Sequence, residues 1–124
     1  MEDERCMTGS NTILIVDDEK EICILLASII KRNNRRPVFV HTIADAKNAV
    51  KSENPELLFL DVTMPDGSGL DLLSDLMSLN PSLKIVIISA YDSYEKTAAN
   101  RGAYRFLQKP FDKEAVMEIL AAVS

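Results

Sequence analysis

Asp17, Asp18, Asp61, Ser89 and Lys109 are spread over most of the chain, yet together they would form one coherent piece of chemistry. Three crowded carboxylates repel one another and any incoming phosphoryl group, so such a set needs a cation. The donors are all oxygen, with no imidazole or thiolate among them. That points to Mg²⁺, which takes one or two carboxylates with phosphate oxygens and keeps several waters. Three carboxylates, one lysine and one Mg²⁺ sum to about zero formal charge. With the charge balanced, Asp61 is placed to attack a phosphoryl donor in line, while the cation and Lys109 stabilise the charge of a loose transition state. The product is an aspartyl phosphate.

Each residue also has an ordinary explanation when taken alone. Asp17 and Asp18 suit a polar turn and helix cap, Asp61 a strand-end turn, and Ser89 a loop hydroxyl. The joint pattern outweighs these readings if folding brings the five to one place, and the apolar patterning predicts that it does. TILIV at 12 to 16 is a β-branched apolar run ending abruptly at Asp17, as expected of a strand buried on both faces. Ile22, Leu25, Leu26, Ile29 and Ile30 recur at helical spacing and predict a helix with those residues on its buried face. Strands follow at 38 to 40 after Pro37, 57 to 60, 84 to 89 and 104 to 108.

Helices are predicted between and after these strands. One starts near Thr42 and Asp45 and buries Ala46, Ala49 and Val50; a second buries Leu70, Leu73, Leu76 and Met77. A short, weakly patterned one lies near 93 to 100, and the last is capped by Asp112 and buries Val116, Ile119, Leu120 and Val123. Five βα units imply a parallel sheet with helices on both faces, because parallel strands need right-handed crossovers. Ligands of such sheets sit beyond the carboxyl ends of the strands. All five chemically interesting residues fall at those ends.

The 124 residues, 47% hydrophobic, suit a single domain over 12 to 124 preceded by a loose polar leader over 1 to 11. A net charge of −5 argues against direct nucleic acid binding. No run approaches the roughly 20 apolar residues of a membrane span, and MEDERCMTGS lacks a secretory core, so a cytoplasmic protein with no membrane partner is expected. Cys6 and Cys23 read as free thiols. MPDG at 64 to 67 is a turn that shapes the pocket without doing chemistry, with Gly67 allowing positive φ. His41 is expected to be structural or solvated, at the end of the second strand away from the key residues of the acidic edge, and not a phospho-accepting histidine. Lys31, Arg32, Arg35 and Arg36 are expected to form a solvated helix end.

VDDE at 16 to 19, LFLDVTMPDGSG at 58 to 69, ISA at 88 to 90 and KPF at 109 to 111 follow in order. In these motifs, from about Thr12 to Val123, the chain resembles the receiver domains of two-component response regulators, a CheY-like family. The resemblance implies a doubly wound (βα)₅, flavodoxin-like three-layer sandwich. It implies that Asp61 is the phosphoacceptor, and that Asp17, Asp18, Asp61 and the Thr63 main-chain carbonyl hold Mg²⁺. Lys109 would pair with the phosphoryl group, Ser89 would move to hydrogen-bond it, and Phe106 would be the aromatic that changes rotamer. Lys109–Pro110 would be cis. Thr63 and Tyr91 stand at positions that vary within the family and tune phosphate lifetime.

A sensor histidine kinase or phosphotransfer protein is the implied donor. Output is expected through the fourth helix, fifth strand and fifth helix, where residues 91 to 123 would meet an effector or a second copy. The domain would be a regulatory phosphoacceptor that assists its own phosphotransfer and dephosphorylation, not an enzyme with a separate substrate. Three other readings fit the residues less well. A haloacid dehalogenase-type phosphohydrolase would need an acid where Thr63 stands, and room for a cap domain. A flavin- or dinucleotide-binding module would need Gly, Ser or Thr where VDDEKE offers carboxylates. A receiver that docks without phosphorylation has no use for an intact acidic set.

Overall fold

The computed structural model describes residues 11–123. Five parallel strands, β1 (Thr12–Val16), β2 (Arg36–Val40), β3 (Leu57–Asp61), β4 (Lys84–Ser89) and β5 (Arg105–Gln108), pair in the order β2-β1-β3-β4-β5. The helices are α1 (Lys20–Arg32), α2 (Ile43–Glu53), α3 (Gly69–Leu79), α4 (Glu95–Asn100) and α5 (Lys113–Val123). A 3₁₀ turn, Asp92–Tyr94, leads into α4. The expected doubly wound three-layer sandwich is the fold found.

The unbroken apolar runs have a simple cause, because alternate side chains along each central strand enter different layers. Leu14, Val16, Leu58, Leu60, Ile85 and Ile87 pack with Ala46 and Ala49 of α2, Leu70, Leu72, Leu73 and Leu76 of α3, and Ala98 of α4. Ile13, Ile15, Leu57, Phe59, Val86 and Ile88 pack on the other side with Cys23, Leu26, Ile29 and Ile30 of α1 and Val116, Ile119 and Leu120 of α5. Register locks the strand ends together: Val16 stands beside Leu60, and Asp61 beside Ile88. Shifting one strand by one residue would exchange its two apolar sets between the layers.

Local chemistry sets the boundaries. Thr42 caps α2 by accepting from Asp45 N at 3.1 Å, and Asp112 accepts from Ala115 N at 3.0 Å at the start of α5. Strand β2 begins two residues earlier than expected and contains Pro37, which an edge strand tolerates because one side needs no ladder bond. The MPDG turn is present between two short antiparallel strands, Thr63–Met64 and Gly67–Ser68, with Gly67 at φ +154°.

Two expectations need correction. Leu25 does not lie on the buried face of α1: it is 43% exposed, and Cys23 takes its place, its thiol donating to the Asp17 carbonyl at 3.4 Å. The basic run is not simply solvated. Arg35 pairs with Glu56 at 2.6 Å with a side chain only 13% exposed, and Arg36 pairs with Glu53 at 2.8 Å, tying the start of β2 to the region around the end of α2. Cys6 and the leader, apart from Asn11, lie outside the described residues; the Asn11 carbonyl accepts from Arg36 N at 3.0 Å. Cys23 is a buried free thiol.

Candidate functional site

Asp17 is the first residue beyond β1, and its N–H donates to the Val40 carbonyl at the end of β2 at 3.2 Å. Asp61 is the last residue of β3 and Ser89 the last of β4; Val62 N donates to the Ile88 carbonyl at 3.2 Å. Lys109 follows β5, with its N–H on the Ser89 carbonyl at 2.8 Å, and its peptide bond to Pro110 is cis. Main-chain bonds therefore connect successive strand ends, and the five residues converge. Carboxylate oxygens of Asp17, Asp18 and Asp61 lie within 4.8 Å of one another.

Asp17, Asp61 and Ser89 are buried, and Asp18 is exposed at the mouth. Lys109 Nζ reaches Glu19 Oε1 at 3.1 Å, Asp17 Oδ2 at 3.3 Å and Asp61 Oδ2 at 3.6 Å. Asp17 Oδ1 accepts from Glu19 N at 2.8 Å, whereas its buried Oδ2 faces, among the described residues, the Lys109 ammonium alone. Burial pushes the Asp17 carboxyl upward, against the lowering effect of the Glu19 N–H and Lys109. Burial, reinforced by the charge of Asp17, raises Asp61 to about 6. Lys109 is raised as well: burial works against its charge, but Asp17 and Asp61 outweigh it.

These directions have one meaning. Two buried carboxylates that one ammonium cannot fully balance are an incomplete charge set, and a buried unsatisfied oxygen is costly. The residues fit a hard cation with oxygen ligands: among the described residues the group within reach of one ion is three carboxylates, and the buried Asp17 Oδ2 has only the shared Lys109 ammonium to balance it.

The remaining expected residues are placed as follows. Thr63 is exposed, and its N–H donates to the Asp61 carboxyl. Tyr91 is 65% exposed beside the site; its N–H donates to Ser89 Oγ at 3.0 Å, and its ring meets Tyr94 edge-on at 6.3 Å. Phe106 lies further back on β5, beside Ile87 and half-buried against the α2–α3–α4 layer. His41 is not away from the acidic edge: its Nδ1 lies 2.9 Å from the Asp17 carbonyl, because the Asp17–Val40 bond brings the end of β2 alongside.

Two contributors were missed. Glu19 was legible only as part of VDDE, with nothing to say which way its carboxylate turned. Asp66 was assigned to the turn alone, but its carboxylate accepts from Ile43 N at 2.8 Å and Ala44 N at 3.1 Å. It thereby pins the loop after β3 to the start of α2, and those two N–H groups hold its own carboxyl below the usual range.

The family model described as the response regulator receiver domain matches residues 13–121. The chain is 33% identical over 116 residues to the chemotaxis protein CheY of Listeria monocytogenes, covering 87% of this chain and 93% of that protein. It is 32% identical over 114 residues to the DNA-binding transcriptional regulator NtrC of Azospirillum brasilense, covering 88% of this chain but 23% of that protein. Against the Mycobacterium tuberculosis regulator TcrX it is 32% identical and spans 49% of the relative. The chain thus spans a quarter to a half of the length of several curated relatives. Among solved structures, the receiver domain of NtrX from Brucella abortus superimposes with a TM-score of 0.84 at 30% identity, covering 90% of this chain and 96% of that one. The beryllofluoride-activated NtrC4 receiver domain dimer gives 0.85 at 28% identity, covering 91% and 95%.

Proposed function

The chain belongs to the response regulator receiver family, and from that premise we propose that it is a Mg²⁺-dependent switch phosphorylated on Asp61. The observation that carries this reading is the convergence of Asp17, Asp18, Asp61 and Lys109 at one sheet edge, with the Asp17 and Asp61 carboxyls both raised. Such a site favours binding a cation and then a phosphoryl group. Asp17, Asp18, Asp61 and the Thr63 carbonyl would hold Mg²⁺, which supplies charge neutralisation for carboxylates and phosphoryl oxygens alike.

Asp61 does the chemistry. Its carboxylate oxygen bonds to phosphorus as the bond from phosphorus to the donor breaks, returning the histidine of a sensor kinase or phosphotransfer protein and leaving an aspartyl phosphate. Lys109 keeps its charge in this setting and pairs with the phosphoryl oxygens. Ser89 gives up its bond from Tyr91 N to hydrogen-bond the same group, and Phe106 moves into the space it vacates. The α4–β5–α5 face, where an effector or a second copy would dock, then changes. The domain assists its own phosphotransfer and dephosphorylation as a regulatory acceptor. Among the described residues no helix is long and apolar enough to cross a membrane; a cytoplasmic site of action is part of the proposal.

The test is the intact mass of the parent and of Asp61→Asn after incubation with acetyl phosphate and Mg²⁺. One phosphoryl group on the parent, absent from the variant and absent without Mg²⁺, is the expected result. No addition under any condition would favour a receiver that docks without phosphorylation.

A further inference from the structure

Lys109 has one more charged neighbour in this site, beside Asp17 and Asp61. Glu19 Oε1 accepts a hydrogen bond from Lys109 Nζ at 3.1 Å, making Glu19 the nearest of three carboxylates to that ammonium. Its setting differs from that of the other two. The Glu19 side chain is 55% exposed, against 0% for Asp17 and 8% for Asp61. Its main chain is held, with N–H on Asp17 Oδ1 at 2.8 Å and the carbonyl accepting from Cys23 N at 3.2 Å as α1 begins. The carboxylate therefore sits on a fixed stem but can turn out to water at little cost, which Asp17 and Asp61 cannot do.

We propose that Glu19 is a positioning residue for phosphoryl transfer: it holds the Lys109 ammonium in the unphosphorylated protein and yields it to the phosphoryl group on Asp61. The inference rests on the reading of Asp61 as acceptor. Phosphorylation adds negative charge and three strong acceptor oxygens beside the ammonium. A doubly charged phosphoryl group on the buried Asp61 takes the ammonium from a half-exposed, singly charged carboxylate, whose pair solvent weakens. Glu19 thus competes with the phosphoryl group for Lys109 and lowers the site's affinity for it.

Beryllofluoride, added with Mg²⁺ to the whole chain and to Glu19→Gln, tests this. The exposed-pair scale converts to a half-saturating concentration about two- to five-fold lower in the variant. Without beryllofluoride, the same substitution should shift the Lys109 Cε resonance and lower the unfolding midpoint only slightly, by the same small pair energy that is gained in binding. Glu21→Gln removes an equal charge from an exposed position in the first turn of α1 and should change neither reading. Equal tightening in both variants would reduce the effect to net charge and overturn the proposal. A parent that binds beryllofluoride while Glu19→Gln binds it no better overturns the inference alone. A parent that binds none overturns the acceptor reading and this inference with it.

Discussion

The Asp61 main-chain carbonyl lies so close to Gly69 that a Cβ added there would overlap it. Gly69 opens α3, and its N–H donates to the Val62 carbonyl at 2.7 Å, so the helix begins directly against the backbone that carries Asp61. The loop between them is fixed at its far side by Asp66 on α2. Asp61 is thus placed by a short, closed frame whose tightest point tolerates no side chain.

Gly69→Ala should accordingly cost about 1 to 3 kcal/mol of stability, as overpacking against a main chain that cannot swing aside does. The urea midpoint measures the loss. Because the displaced atoms belong to Asp61, uptake of phosphate from acetyl phosphate should slow as well, even where the variant is fully folded. A variant as stable and as reactive as the parent would show that α3 can shift freely away from β3.

The Asp61 carboxyl, raised to about 6 by burial and by Asp17, gives a pH dependence whose sign can be worked out. A carboxyl with a raised folded pKa binds more protons in the folded protein, so its stabilising contribution is present below the unfolded value and lost as pH rises through the folded one. The window is roughly pH 4 to 6, and a shift of that size is worth on the order of 2 to 3 kcal/mol. In metal-free buffer Asp61→Asn should be more stable than the parent at pH 7, by an amount that shrinks toward pH 4. Urea unfolding of both proteins at several pH values checks it; a constant difference would contradict the raised carboxyl.

The strands and the convergence of Asp17, Asp18, Asp61, Ser89 and Lys109 were readable in the sequence because strands buried on both faces leave uninterrupted apolar runs whose ends are sharp. What escaped was direction and pairing over distance. Glu19 and Lys109 are 90 residues apart, and neither residue type indicates the other. Cys23 falls in the apolar helical pattern as well, but spacing alone also put Leu25 on the buried stripe of α1, and the thiol's bond to the Asp17 carbonyl, which marks the true edge, is invisible without the fold. His41 was misplaced for a similar reason: its neighbourhood depends on β1 and β2 pairing in parallel, which brings two strand ends together.

Tyr91 stands beside the site with most of its ring in water and its ring against the edge of Tyr94, a contact that does not depend on Ser89. A bulky ring at the mouth hinders a water molecule approaching an acyl phosphate on Asp61. Tyr91→Ala should therefore lose phosphate several-fold faster than the parent. The decay of the phosphorylated mass after removal of the donor measures this. A lifetime equal to the parent's would mean that the ring leaves the path of water open.

Asp17 should be the residue on which metal affinity depends most, since its Oδ2 is fully buried, has Lys109 alone among the described residues for a partner at 3.3 Å, and belongs to a carboxyl that burial pushes upward. A cation that binds only the folded protein stabilises it by RT ln(1 + [Mg²⁺]/Kd), about 2.7 kcal/mol at one hundred times Kd. The parent should show that saturable rise in its unfolding midpoint, and Asp17→Asn should lose most of it. Removing the charge also relieves the buried repulsion, so this variant should start from a higher metal-free midpoint, which separates lost binding from damaged folding. Asp45→Asn, on the exposed first turn of α2, should keep the full rise whatever its own stability. Sodium chloride at matched ionic strength should not reproduce the effect, because screening acts on all surface charges, whereas an ion held by Asp17, Asp18 and Asp61 acts at one place. An equal rise in sodium chloride, or one retained by Asp17→Asn, would mean that these carboxylates do not form the metal site.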